Sequence, residues 1–332
     1  MKTVEMVFQN TMEAASYIAD TIFSSRAPSV EVQLVSRPMS FEQITEFIFE
    51  RRPELLLCVE SISMRSECLC LWIKMSFSVS YTDVMPSAVT EVTQVGEALD
   101  AMLRDVQLHR RSSELIFLSG IEQEILTAVS NVTELPRFLD CFLKGTSVTV
   151  KRRPGCSYSA LSVNYIYSCS YAEYRQRQRE MELAVNKIVR LSKAAGVEDW
   201  KKALLAVRYF VENWKYGADR SAPGVEFTAY GALVKHTAVC MGISLATCVV
   251  FTRLGIPCRY IRGARAGEGH AWNLVYLQGG WFYIDVTDAI SHRDPLYHWG
   301  MTSLTDRITT EPVGVQLKCT CPTAFLRGRG KI

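Results

Sequence analysis

Apolar and polar positions in the first 195 residues run through one succession of periods twice. Glu13-Ala14-Ala15-Ser16-Tyr17-Ile18 opens a stretch of helical spacing, and Glu97-Ala98-Leu99-Asp100-Ala101-Met102 opens another 84 positions later (13 to 97). Each leads into a short apolar run that reads as a strand, Val32 to Ser36 and Leu115 to Ser119, 83 positions apart (32 to 115). An amphipathic helix follows each, Phe41 to Arg51 and Ile121 to Asn131, and then a proline-led apolar segment, Pro53 to Leu57 and Pro136 to Leu139. Each copy closes on an alternating run ending Ser-x-Ser-Tyr, at Ser78 to Tyr81 and Ser168 to Tyr171. Alternation marks a strand with one buried face, and spacing of three and four marks a helix. Self-similarity at a fixed offset is the sign of repeated units. The pattern predicts two tandem α+β modules, 1–89 and 90–195, related by duplication.

A charged segment from Tyr174 to Ala195 sets Leu183, Ala184, Val185, Ile188 and Leu191 on one expected buried helix face. Gly196 interrupts it. Asp199 can cap a second helix, Trp200 to Tyr216, with Leu204, Val207, Val211 and Trp214 as its stripe. Beyond this point the sequence changes character, and 196–332 is expected to form the domain that carries the chemistry.

Composition narrows the classes. Of 332 residues, 48% are hydrophobic and 21% charged, enough apolar content for a sizeable core. Lys plus Arg is 37 against 34 for Asp plus Glu, a net +3 that argues against nucleic-acid or membrane-surface partners. No apolar run approaches the ~18 residues of a membrane span. Lys2, Glu5, Asn10, Glu13 and Asp20 interrupt any leader-like core, so a cytoplasmic location is expected, although a chain trimmed of its leader would look the same. The 11 cysteines lie mostly in apolar runs, as reduced, packed thiols do. Cys68/Cys70 and Cys319/Cys321 are Cys-x-Cys pairs, but Cys-x-x-Cys is absent and His is scarce, so no zinc site, other metal or organic cofactor is expected.

One cysteine stands apart. Cys240 precedes a largely apolar helix, Met241 to Leu254, which Gly255 and Pro257 end. A thiol at a helix N-terminus meets free backbone N–H groups and the positive end of the dipole, both of which favour the thiolate. Cys248 and Cys258 lack that position and are expected to be inert packing. Further on, Gly269-His270-Ala271-Trp272-Asn273-Leu274-Val275-Tyr276-Leu277, Gln278-Gly279-Gly280 and Trp281-Phe282-Tyr283-Ile284-Asp285-Val286 read as a hairpin. A two-residue loop puts His270 and Asp285 on one face. With Gln278-Gly279 as the loop, Asp285 stands opposite Trp272 and diagonal to His270, within side-chain reach. With Gly279-Gly280 it would stand opposite Leu274, too distant. The first register is preferred. A thiol, an imidazole and a carboxylate so placed suit a nucleophile triad: Cys240 attacks, His270 pairs with the thiolate and protonates the leaving amine, Asp285 fixes the imidazole, and the Cys240 N–H can face an oxyanion.

Residues from about Asp199 to Asp288 resemble the transglutaminase-like domain of bacterial proteins. The motifs are Thr228-Ala229-Tyr230-Gly231-Ala232-Leu233, Val239-Cys240-x-Gly242, Leu254-Gly255-Ile256-Pro257-Cys258-Arg259-Tyr260, Gly269-His270-Ala271-Trp272-Asn273 and Trp281-Phe282-Tyr283-Ile284-Asp285-Val286-Thr287. The resemblance implies a papain-like α+β core with the nucleophile helix on an antiparallel sheet, and places the catalytic roles on Cys240, His270 and Asp285. Tyr230, His236, Met241 and Trp272 are candidates to line the cleft or donate to the oxyanion. The chain departs from the family pattern at Met241, at His236 and at Asp288-Ala289, where relatives carry Trp. The expected function is cysteine-dependent acyl transfer on peptide or protein amides through a thioester, with hydrolysis favoured over transamidation. The alternative is a non-catalytic scaffold whose N-terminal modules bind a protein partner.

Overall fold

The computed structural model describes residues 6–35, 38–69, 72–118, 123–130, 132, 142–153, 156–194, 196, 198–218, 224–301 and 307–309. It divides into two compact units, 1–168 and 169–332.

The first unit holds two sheets of one topology. The first is built from β1 (Met6–Phe8), α1 (Thr11–Ser25), β2 (Ser29–Leu34), α2 (Phe41–Arg51), the single turn α3 (Leu55–Cys58), β3 (Val59–Leu69) and β4 (Trp72–Tyr81). Its order is β1-β2-β4-β3, with β1 parallel to β2 and the other pairs antiparallel. The second comprises β5 (Val89–Val92), α4 (Val95–Gln107), β6 (Ser112–Phe117), α5 (Gln123–Ser130), β7 (Leu143–Lys151) and β8 (Ser159–Tyr167). Its order is β5-β6-β8-β7, with the same directions. Local signals start the helices. Asn10 accepts the Glu13 N–H at 3.0 Å, and Ser40 and Gln43 form a reciprocal capping box. Ile18, Ile22, Ile44 and Ile48 are fully buried beside Val32, Leu34, Met75 and Phe77. Each such side chain contributes about 1.5–3 kcal/mol of burial.

The second Ser-x-Ser-Tyr is corrected by the structure: β8 ends at Tyr167, and Ser170 instead caps a helix. The Ser170 hydroxyl accepts from Glu173 N and the Glu173 carboxylate accepts from Ser170 N at 2.8 Å, a local exchange that outcompetes strand pairing. Pro136 to Leu139, the basic chain end, Cys70, Cys141, Cys319 and Cys321 lie outside the described residues.

The second unit begins with α6 (Tyr171–Lys193) and α7 (Asp199–Asn213). The expected boundary at 195/196 is therefore displaced, because α6 packs on α7 and belongs with this unit. Tyr174, Met181, Val185, Ile188 and Ser192 form the buried stripe of α6, while Leu183 is 72% exposed. The helix is turned away from the expected face because Leu183 and Leu191 stand off that stripe. Helix α7 ends at Asn213 rather than Tyr216, because Lys215 and Tyr216 form β9, paired parallel with β10 (Thr237–Ala238). Next come α8 (Ala229–Leu233) and α9 (Cys240–Arg253). An antiparallel sheet of order β13-β12-β11-β14 follows, from β11 (Cys258–Arg265), β12 (Glu268–Leu277), β13 (Gly280–Ile284) and β14 (Arg307–Thr309), with α10 (Val286–His292) after β13.

Helix α9 is apolar on every side and correspondingly enclosed, packing on β11 and β12 and against α6, α8 and α10. Gly242 makes its first turn possible. A Cβ there would stand 2.5 Å from the Glu226 carbonyl oxygen and 2.6 Å from that of Thr228, so the chain entering α8 crosses directly over the helix. At the other end Gly255 takes φ +81°, with Ile256 N donating to the Phe251 carbonyl at 2.8 Å.

Candidate active site

Each element delivers one group. Val239, extended at φ −86° and ψ 176°, leads into α9, so Cys240 is the first residue of that helix. His270 comes from β12, whose pairing with β13 runs from Asn273↔Ile284 to Leu277↔Gly280. The loop is thus Gln278-Gly279, both with positive φ (50° and 85°), as a type I′ turn requires. Asp285 follows β13 as the N-cap of α10. Its two oxygens are divided: Oδ2 meets His270 Nε2 at 2.7 Å, and Oδ1 accepts the Asp288 N–H at 3.1 Å. One carboxylate therefore both orients the imidazole and starts the helix behind it.

With Nε2 engaged by Asp285, the other ring nitrogen of His270 is left for the thiol, and His270 is hydrogen-bonded to Cys240. The backbone N–H groups of Ala271 and Met241 also donate to Cys240 Sγ. Burial alone would push the Cys240 thiol up, but His270 and these two N–H groups outweigh it and hold the pKa below the ordinary thiol value. Burial likewise opposes charge on His270, yet hydrogen bonds and charge from Asp285 and Cys240 raise it to about 9. Both shifts act in one direction, favouring a thiolate beside an imidazolium. Other cysteines go the opposite way: desolvation raises Cys58 to about 11 and carries Cys258 well above its usual range. The transglutaminase-like superfamily matches residues 187–286, a span that contains all three groups.

The chain carries a transglutaminase-like domain. Among solved structures it is similar to a TGase at 16% identity, over 84% of this chain and 78% of that one, with a TM-score of 0.30. It is also similar to the periplasmic domain of TgpA from Pseudomonas aeruginosa at 16% identity, over 44% of this chain and 66% of that one, with a TM-score of 0.29. No curated protein matches the chain.

Within the transglutaminase-like domain the subsidiary candidates separate. Met241 stays at the site through its backbone N–H. Trp272 is 0% exposed, so it packs beneath the site, its ring stacked 5.8 Å from that of His270, and cannot touch a substrate. Tyr230 is also buried. Its hydroxyl donates to Glu180 on α6 at 2.6 Å, which commits it to helix packing rather than to an oxyanion. His236 is exposed in the bend just before β10, and its carbonyl accepts from Lys215 N at 2.9 Å.

Tyr216, Arg265 and His298 escaped the sequence reading as site residues, and Asp288 entered it only as a departure from the family pattern. Tyr216, 54% exposed on β9, pairs with Ala238 two positions before Cys240, and burial, then Cys240 and Glu268, push its hydroxyl pKa up. Asp288 is buried behind Asp285 and is held by Arg265 and by His298, the latter at 2.6 Å. Strand parity could have found Arg265, since it stands opposite Glu268 and two positions from Gly263, which faces His270. Nothing in the local pattern announces His298. No group of three or more His, Cys, Asp or Glu able to hold a metal ion occurs among the described residues.

Proposed function

We propose that this chain is a cysteine hydrolase of peptide or protein amides. The observation that supports the reading is the Cys240–His270–Asp285 array, with its paired opposite pKa shifts. Cys240 Sγ adds to the amide carbonyl carbon. The resulting oxyanion is held by backbone N–H groups at the start of α9. His270 gives its proton to the leaving amine as the C–N bond breaks, leaving an acyl thioester on Cys240. His270, now neutral, takes a proton from water, which adds to the thioester; the acid departs and the thiol is restored. Asp285 keeps the imidazole turned towards the thiol throughout.

The test is a single-turnover reaction with glutamine-containing and other peptide amides, read by intact-mass spectrometry. An acyl adduct on Cys240, released faster by added hydroxylamine, is expected. Undiminished turnover by Cys240→Ala would overturn the reading. Preferential transfer to a dilute primary amine in place of water would replace hydrolysis with transamidation.

A further inference from the structure

We propose that Arg265 and His298 are positioning residues for the Cys240–His270–Asp285 array, compensating Asp288 so that Asp285 alone presents charge to His270. The inference rests on the catalytic reading of that array.

Asp285 and Asp288 are 1% and 3% exposed, and they belong to one turn of chain, with Asp288 N donating to Asp285 Oδ1 at 3.1 Å. Two carboxylates so close and so dry resist carrying two charges, since desolvation and like charge both oppose the second. The structure answers from two directions. Arg265 Nη1 on β11 donates to Asp288 Oδ1, while His298 Nδ1 is 2.6 Å from Asp288 Oδ2. His298 also grips the other carboxylate's residue, because its carbonyl accepts the Asp285 N–H at 3.3 Å. Other ionisable groups nearby are His292, whose Nδ1 lies 2.9 Å from the Asp288 carbonyl, Glu268 opposite Arg265 on β12, and Tyr216 on β9, which packs on α10. Asp288 has no role in the acyl-transfer steps, so a buried second carboxylate beside the first must be compensated or it degrades the site.

Without Arg265, Asp288 adds an uncompensated negative field behind Asp285 and at the thiolate, which raises the pH at which Cys240 ionises.

The readout is the pH dependence of Cys240 alkylation by iodoacetamide, followed by peptide mass spectrometry on the full chain. Arg265→Met should move the acid midpoint up by about 1 unit and slow labelling at pH 6 roughly tenfold. His298→Gln, which keeps a donor but no charge, should move it less in the same direction, and serves if Arg265→Met does not fold. Arg265→Lys should leave it near wild type. Arg265→Met combined with Asp288→Asn should return the midpoint towards wild type, because the charge needing compensation is gone. A purely structural latch would lower the thermal midpoint without moving the ionisation, and the double variant would not recover; that result overturns the inference. An ordinary thiol midpoint of about 8.5 in the wild-type chain would instead overturn the catalytic reading itself.

Discussion

His270 and Asp285 meet at 2.7 Å just past the end of the β12–β13 ladder: its last pair is Asn273 with Ile284, and the same register carried one step on would set Asp285 against Trp272, one alternation from His270. The distance is a product of strand register more than of any local motif. A hydrogen bond between groups 15 positions apart in sequence is fixed by counting backbone pairs.

Thiol reactivity should be selective. Near pH 6 an ordinary thiol is almost entirely protonated, whereas Cys240 is held below the usual value by His270 and two backbone N–H groups. Limiting iodoacetamide should label Cys240 first and leave Cys58 and Cys258 unmodified. His270→Ala should slow that labelling about tenfold or more. Even labelling of several cysteines would show that the thiol is not activated.

The rate should have a plateau bounded by the ion pair. On the acid side it should fall as Cys240 takes up its proton, below the ordinary thiol range. On the alkaline side it should fall around pH 9, as His270 loses its proton. The signs carry over to stability. His270 has a raised pKa, so its contribution is complete below its unfolded value of about 6.5 and is lost as pH rises through about 9. Cys240 has a lowered pKa, so its contribution is present above the unfolded thiol value and is lost as pH falls through the folded one. Asp285→Asn should bring the alkaline limb down, because Asp285 is a main source of the raised His270 value. A limb that stays near 9 in that variant would assign it to another group.

Gly242→Ala should cost about 1–3 kcal/mol and displace Cys240, because the added methyl meets backbone oxygens of Glu226 and Thr228 at 2.5 and 2.6 Å. Backbone cannot rotate away as a side chain can. Thermal unfolding and kcat together check this, and a variant with wild-type values in both would show that the crossing chain moves freely.

Tyr230→Phe should leave kcat within about twofold while lowering stability by about 0.5–1.5 kcal/mol, the worth of the lost bond to Glu180. A large fall in kcat at unchanged stability would return Tyr230 to the cleft.

The placement of His270 beside Asp285 was legible in the sequence because a two-residue turn and hairpin parity are local, as was the helix start at Cys240. That the helix start meets β12 is tertiary packing, which only the family resemblance implied. What was lost depended on distant partners. Tyr230 and Trp272 sit in motifs that adjoin the catalytic groups, but alternation and helical phase do not say which face a neighbouring helix will cover. Leu183 reads as apolar and is solvent-facing, because the α6 stripe is set by Met181, Val185 and Ile188 against its neighbours. The Ser-x-Ser-Tyr echo matched in letters and not in structure, since Glu173 three residues beyond Ser170 turns the same serine into a cap. Asp288 stood out only as a departure, and its partner His298 lies 10 residues downstream with no periodicity linking them.

The Gln278-Gly279 turn has an importance out of proportion to its chemistry. Exposed loop tips ordinarily absorb inserted or deleted residues with little penalty. Here one residue more or fewer, if the ladder re-formed around the new length, would exchange the two faces of β13 and carry Asp285 to the side away from His270. Replacing Gln278 leaves that arithmetic intact; changing the length of the turn does not. Lineages descended from this sequence can therefore be expected to vary the letters of the turn while holding its length fixed.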